Sequence, residues 1–300
     1  MVQIETVPSR RALILGVGAA LASGADAQAQ GVLQTWPLGL QLFTVDAQLK
    51  ADLPGTLAAL KQTGYQTVET AGLQGLTAAA YRAQIEAAGL SCRSAHVAMG
   101  DLVSNLDAHI ADALALGAGW LVCSSPVPPT PIDPTKDWVA AMVAAMTPDA
   151  WRSNAAQLAL IAPKVRRAGL TLAWHNHPME FRDWGGVCGY DILLAAAPPS
   201  LLSMEMDLGW VVAAGRDPVA TMRRYALRVA MLHVKDMVRD PAAPVGYRSV
   251  AVGEGIIDWP AVFAAARAVG VRGFFVEQEP PFQRPVMTSL QISRDYLSRI

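Results

Sequence analysis

Residues 168–181 read AGLTLAWHNHPMEF. Gly169 stops the helical pattern before it, an apolar run from Leu170 reaches His175, and polar groups then crowd together: His175, Asn176, His177 and Glu180. This is the repeating unit of a parallel α/β fold: helix, glycine stop, strand, then polar groups at the strand's C-terminal end. Strands of such sheets are buried on both faces, so they read as near-continuous apolar runs.

The same unit recurs on either side. Upstream, strands are expected at 38–45, 65–70, 91–99 and 120–124. Helices at 53–63, 77–88 and 105–116 separate them, closed by Gly64, Gly89 and Gly117. A helix over 148–168 leads into the fifth strand, 170–175, and the last three strands are 201–206, 229–234 and 273–277. Eight strands alternating with helices, with no domain-sized linker, predict a single (β/α)8 barrel, which typically needs about 250 residues. An open doubly wound sheet is the competing architecture, but no glycine-rich phosphate loop follows the first strand. Pro126, Pro128, Pro129, Pro131 and Pro134 sit in a connection long enough to be a lid or binding loop.

The chain of 300 residues is 52% hydrophobic and 16% charged, enough for a large core, and its net charge of -1 lacks the basic stripe of a nucleic-acid binder. Its three cysteines, Cys92, Cys123 and Cys188, form neither a disulfide framework nor a CxxC pair. The first residues differ from the rest. Arg10 and Arg11 precede an apolar run and the small-residue sites Ala25-Asp26-Ala27 and Ala27-Gln28-Ala29. Residues 1–29 are therefore expected to be a signal peptide, with 30–300 forming the barrel. The paired arginines point to the twin-arginine route, and an ordinary Sec signal is the alternative. Either route implies a periplasmic or secreted protein with no membrane span after cleavage.

In a barrel of this kind the chemistry lies at the C-terminal strand ends. There the sequence offers Gln41, Glu69 and His96 on the first three strands. Strands five to eight end in His175/His177/Glu180, Glu205/Asp207, His233/Lys235/Asp236 and Glu277/Glu279. His109 falls on a helix and is expected to be solvated. Burying ionisable groups at four successive strand ends is costly without partners, and a shared metal ion removes that cost. Imidazole with carboxylate and no thiolate suits Mn2+ first, then Zn2+ or Co2+, rather than Ca2+.

These residues carry a resemblance. LGLQLFTV from Leu38, HNHPMEF from His175, MDLGWVVAAGRDP from Met206, LHVKD from Leu232, VGEGIIDW from Val252 and FFVEQE from Phe274 are similar, in order and spacing, to xylose isomerase-like barrels of the sugar phosphate isomerase/epimerase kind. Within these the chain resembles an exported subgroup whose fifth strand reads HNHxxEF. The resemblance implies a divalent metal held by Asp207, His233 and Glu277 with a group from strand five. Better-known epimerases have a glutamate in that strand. This sequence has His175 there, making His175 the expected fourth ligand and leaving Glu277, His177, Glu180 and Lys235 as candidate acid/base or charge-stabilising groups. For Lys235, an ion pair with Asp236 or Glu254 is the simpler alternative.

Gln41, Glu69, His96 and Trp210 are candidate substrate contacts, and Trp174, Trp184 and Trp259 are further rings that either stack on a sugar or pack in the core. Gly253 and Gly255 are expected to shape a loop over the site. The expected activity is metal-dependent isomerisation, epimerisation or elimination on a free or 3-keto sugar. The partner is thus a small molecule and not nucleic acid, and an oligomer is compatible with this. A sugar-binding barrel without catalysis and an apurinic-endonuclease-like hydrolase are the competing readings.

Overall fold

The computed structural model describes residues 31–300, which form one compact unit. The expected signal peptide lies outside them. Eight strands close into a parallel barrel: β1 (Gly39–Gln41), β2 (Thr67–Ala71), β3 (Ser91–Val97), β4 (Trp120–Cys123), β5 (Thr171–His175), β6 (Leu202–Asp207), β7 (Val229–Val234) and, last in the chain, β10 (Gly273–Val276). Leu40 of β1 pairs with Val276 of β10 and shuts the ring. The fold is the (β/α)8 barrel that the alternation of strands and helices predicts.

Local chemistry places the helices. The helix Leu53–Thr63 starts where the Asp52 carboxylate accepts from the amide of Gly55, and it stops at Gly64 with φ 107°. That left-handed geometry suits glycine because a Cβ would crowd the backbone. The 20-residue helix Pro148–Arg167 is capped by Thr147, has a proline in its first turn and ends in three basic residues that face its negative pole.

Two packed regions follow from the period-two alternation of the strands. The main core lies between sheet and helices and includes Leu121, Leu172, Trp174, Met204, Leu232 and Phe274. A separate cluster of Trp120, Val122, Ala173, Ala230, Met231 and Phe275 fills the lower barrel interior. Above it the inward positions turn polar.

Three elements differ from expectation. The apolar run 38–45 yields only a three-residue strand, because the Gln41 side chain caps a 3-10 turn at Leu42–Val45. The proline-rich connection carries a helix, Trp138–Ala145, capped by Asp137. After β7 the chain makes an antiparallel hairpin, β8 (Asp236–Arg239) with β9 (Tyr247–Val250), outside the barrel ladder. Among the described residues no helix is long and apolar enough to cross a membrane.

Candidate active site and metal centre

Strand register sets the site. His175 of β5 lies beside Glu205 of β6, and Asp207 beside His233 of β7. Side chains two apart on a strand share a face, so Glu205 and Asp207 both point inward and stack in two tiers.

The lower tier holds Glu69, His96 and Glu205. His96 Nε2 lies 2.7 Å from Glu205 Oε2 and 3.0 Å from Glu69 Oε1. The upper tier holds Asp207, Lys235, Glu277 and Glu279. Lys235 Nζ sits 3.0 Å from Asp207 Oδ2, 3.0 Å from Glu277 Oε2 and 2.7 Å from Glu279 Oε1. The His233 ring joins the tiers. Its Nε2 is 2.7 Å from Glu69 Oε1 and 3.2 Å from Glu205 Oε2, while Nδ1 is 2.8 Å from Glu277 Oε2 and 3.9 Å from Asp207 Oδ2.

Neighbours fix these groups in place. The Asn176 amide brackets the Asp207 backbone, donating to its carbonyl and accepting from its N–H, both at 3.1 Å. Asp207 Oδ1 caps the helix Leu208–Ala213 by accepting from the Trp210 amide at 2.9 Å, leaving Oδ2 directed to the cluster. Trp210 lies beneath Lys235, whose Nζ is 4.3 Å from the ring centroid, a cation–π contact.

Burial dominates the electrostatics and is then opposed group by group. Burial raises the Glu277 carboxyl, but Lys235 and His233 outweigh it and hold the pKa well below the usual range. Glu69 is likewise lowered, against burial, by His96 and His233. For Asp207 burial prevails, helped by Glu277, and the pKa rises to about 6 despite Lys235. Burial lowers His96, yet Glu69 and Glu205 lift it to about 9. His175 is pushed well below 6.5 by burial and then by His233 and His96. His177 falls to about 3 through burial and then Lys235. Both are neutral imidazoles, the form that binds a metal.

A cavity of about 610 Å³ opens above the cluster. His96, His175, His177, Glu277, Glu279 and Gln41 line its floor side, and Phe43, Leu73, Val97 and Trp138 supply apolar wall.

The residues fit a divalent cation. One donor atom each from His175, Asp207, His233 and Glu277 lie within 4.8 Å of one another, and so do donors from His96, His175, Glu205 and His233. Asp207 Oδ2 and His175 Nδ1 are buried and make no hydrogen bond, their nearest charged neighbours being Lys235 at 3.0 Å and Glu205 at 3.3 Å. The first set is the quartet that the resemblance implies.

Other candidates fall elsewhere. The Glu180 carboxylate does not line the cavity. It accepts from the Trp174 indole at 3.1 Å and from the His177 amide at 3.0 Å, which closes the turn Pro178–Phe181. Gln41 and Glu69 bind each other at 2.8 Å, so only Gln41 reaches the cavity wall. Lys235 pairs with neither Asp236 nor Glu254. Asp236 instead accepts from the amides of Met237, Gly253, Gly255 and Ile257 and from the Trp259 indole, and Glu254 pairs with Arg284. The Gly253–Gly255 loop therefore wraps Asp236 rather than covering the site. Trp174 and Trp259 are core residues. His109, expected in solvent, is half-buried on the cavity wall.

Sequence reasoning gave no role to Glu205, although its i, i+2 spacing from Asp207 carried the signal. Trp138 was missed because no strand-end rule reaches a helix inside a connection.

An inosose dehydratase of Lacticaseibacillus casei is 25% identical over 167 residues, 49% of this chain and 54% of that protein. The chain thus spans about half the length of the curated relatives it matches. The solved structure of a sugar phosphate isomerase/epimerase from Parabacteroides distasonis ATCC 8503 superposes with a TM-score of 0.70 at 21% identity, covering 93% of this chain and 97% of that one. A xylose isomerase-like TIM barrel protein from Mycobacterium smegmatis, solved in complex with magnesium, gives 0.62 at 16% identity over 89% and 96% of the two chains. At such identities both likenesses speak for the fold. The family profile matches residues 57–297, and the chain belongs to the xylose isomerase-like TIM barrel family.

Proposed function

We propose that this barrel is a metal-dependent enzyme acting on an uncharged sugar or keto-sugar, by removing a proton from the carbon beside a carbonyl. The observation that carries this reading is the quartet His175, Asp207, His233 and Glu277. Its four donor atoms are gathered from four strand ends, and His175 and Glu277 also line the cavity. A cation held by these four residues would supply Lewis-acid chemistry, favouring loss of a proton beside a carbonyl. Mn2+ is the first candidate, then Zn2+ or Co2+.

The chain's own groups supply the rest. Glu277 is kept ionised by Lys235, 3.0 Å away, so a carboxylate stands at the cavity floor to accept a proton. His177 lines the cavity with a neutral imidazole that can hold a sugar hydroxyl. Among the described residues the cavity wall carries Asp101, Asp112, Asp137, Glu277 and Glu279 and no lysine or arginine. A phosphorylated sugar would meet like charge there, which favours a neutral substrate. Epimerisation, isomerisation and β-elimination share the first step. Dehydratases and epimerases among the family's relatives are consistent with each.

The test is incubation of the metal-loaded protein with free and 3-keto sugars in D2O. Deuterium incorporated at the carbon beside the carbonyl is the expected result. Tight sugar binding without exchange or turnover would leave a binding protein instead. We further propose export by the twin-arginine route, supported by Arg10, Arg11 and the small-residue sites. Changing both arginines to lysine should leave precursor in the cytoplasm, and normal export would indicate Sec.

A further inference from the structure

The cavity offers more room than a single sugar ring fills, and its two sides differ in kind. Its volume of about 610 Å³ falls in the range of roughly 300–1,000 Å³ that encloses ligands of drug size. The strands run around the barrel in the order β1-β10-β7-β6-β5-β4-β3-β2. The metal quartet is centred on β6 and β7, so β2 and β3 stand across the mouth from it. The polar groups His175, His177, Glu277 and Glu279 reach the cavity from the ends of β5 and β10. The opposite wall is apolar. Leu73 follows β2, Val97 ends β3, and Leu116 comes from the helix Leu106–Leu116 behind them. His96, also on β3, turns to Glu69 and Glu205 at the floor and leaves this wall to hydrocarbon.

Two large rings stand open beside it. Phe43, from the turn after β1, is 48% exposed, and Trp138, from the helix in the proline-rich connection, is 38% exposed, and both line the cavity. Apolar surface of this kind, rimmed by polar groups, marks a groove that a ligand covers. Trp138 packs edge-on against His177, with ring centroids 4.9 Å apart, so it stands on the border between the two sides. A bare sugar stacked on Trp138 would account for that ring alone. It would leave Leu73, Val97 and Leu116 uncovered, because they lie across the mouth from the quartet.

We propose that the substrate is a sugar carrying an uncharged aromatic substituent, with the sugar ring over the quartet and the substituent against the wall formed by β2 and β3. This substrate class rests on the metal-dependent reading proposed above and narrows it. A flat ring suits the wall better than a flexible chain, because it brings a large apolar area with few rotatable bonds and can face Phe43 or Trp138. Asp101 and Asp112 edge the same wall, and no lysine or arginine is among the described residues that line the cavity. An anionic substituent would therefore meet like charge there.

Binding tests this without relying on turnover. Purified full-length protein loaded with Mn2+ is titrated by calorimetry with matched phenyl and methyl β-glycosides of glucose, galactose and xylose. The expected result is that, in at least one pair, the phenyl member binds about 10–100-fold tighter, as burial of its additional ring carbons allows. The corresponding 4-carboxyphenyl glycoside should fall back toward the methyl value. Phe43→Ala, a change at a half-exposed ring, should shrink the phenyl advantage by about 3–10-fold. Leu227→Ala should keep that advantage, since Leu227 is 88% exposed and precedes β7 at the other end of the barrel. Equal affinity within every pair, or no binding of either member, overturns the aromatic substituent. Deuterium exchange tells its failure from that of the enzyme reading. Exchange into free sugars without a phenyl advantage removes the substituent and spares the enzyme, whereas phenyl-selective binding without exchange or turnover does the reverse.

Discussion

Glu277 and Glu180 are both buried glutamates at strand ends, and their surroundings give them opposite roles. Glu277 follows an apolar run, ends beside Lys235 and His233 and reaches the cavity. Glu277→Gln keeps the shape and one ligand oxygen but removes the base. Activity should fall by about 10²–10⁴-fold, the usual contribution of an acid/base group, with bound metal falling much less. Asp207→Asn should weaken metal retention first, and excess ion should restore part of the activity. Near wild-type turnover by metal-loaded Glu277→Gln would reduce Glu277 to a ligand and move the base to His177.

Glu180 was as plausible a base in the sequence, because a linear motif does not say which way a carboxylate turns. Two hydrogen bonds turn it to Trp174 and the His177 amide, and burial raises its pKa to about 8. A carboxyl raised above its unfolded value of 4.5 contributes stability that is fully present below pH 4.5 and lost as pH rises through about 8. Glu180→Gln should therefore start less stable in acid, having exchanged an acceptor for a donor, and should lack this decline. Thermal melts of both proteins from pH 4.5 to 8.5 test it, and parallel curves would reject the assignment.

At the scale of elements, the helices that lead into β2 and β4 were legible because each has a stop written in one residue. Gly64 and Gly117 take the left-handed geometry that ends Leu53–Thr63 and Leu106–Leu116. The hairpin β8–β9 was not legible. Its anchor is one carboxylate gathering donors from four amides and an indole spread over residues 237–259, a pattern with no sequence period. A Cβ at Gly255 would collide with that carboxylate, so this glycine is needed for close approach and not for a lid. Asp236→Ala leaves five donors unpaired in a dry site. It should cost at least about 3 kcal/mol, which for a domain of this size lowers Tm by roughly 6–12 °C. Calorimetry measures this directly, and a shift under 2 °C would mean that water or neighbouring carbonyls replace Asp236.

On the scale of the whole molecule, the barrel was readable because eight apolar runs alternate with helices, and burial on both faces of a parallel sheet produces such runs. The site was readable only at its rim, where strand ends are marked by the change from apolar to polar. Glu69 and Glu205 also read as polar groups near strand ends, but they lie one layer down beside two register shifts that no local pattern announces, so their convergence was not legible. The folded chain thus concentrates negative charge at the place where β5, β6, β7 and β10 meet, and this repulsion opposes closure of that side of the barrel.

A cation that binds there only when the four strands are assembled must stabilise the fold by mass action. At a free concentration 100 times its Kd the gain is about 2.7 kcal/mol per ion. For a domain of this size that corresponds to a rise in Tm of roughly 5–11 °C. Stripped protein should therefore melt earlier than protein in excess Mn2+, and a chelator should reverse the shift. The dependence should continue to climb with the logarithm of concentration above saturation, because linkage has no plateau. His233→Ala, which removes the ring common to both tiers, should abolish the response and leave only the baseline of the stripped state. A melting temperature indifferent to Mn2+ and Zn2+ alike would show that the carboxylates are neutralised by protons and by Lys235, and the metal-centred account of this barrel would fall.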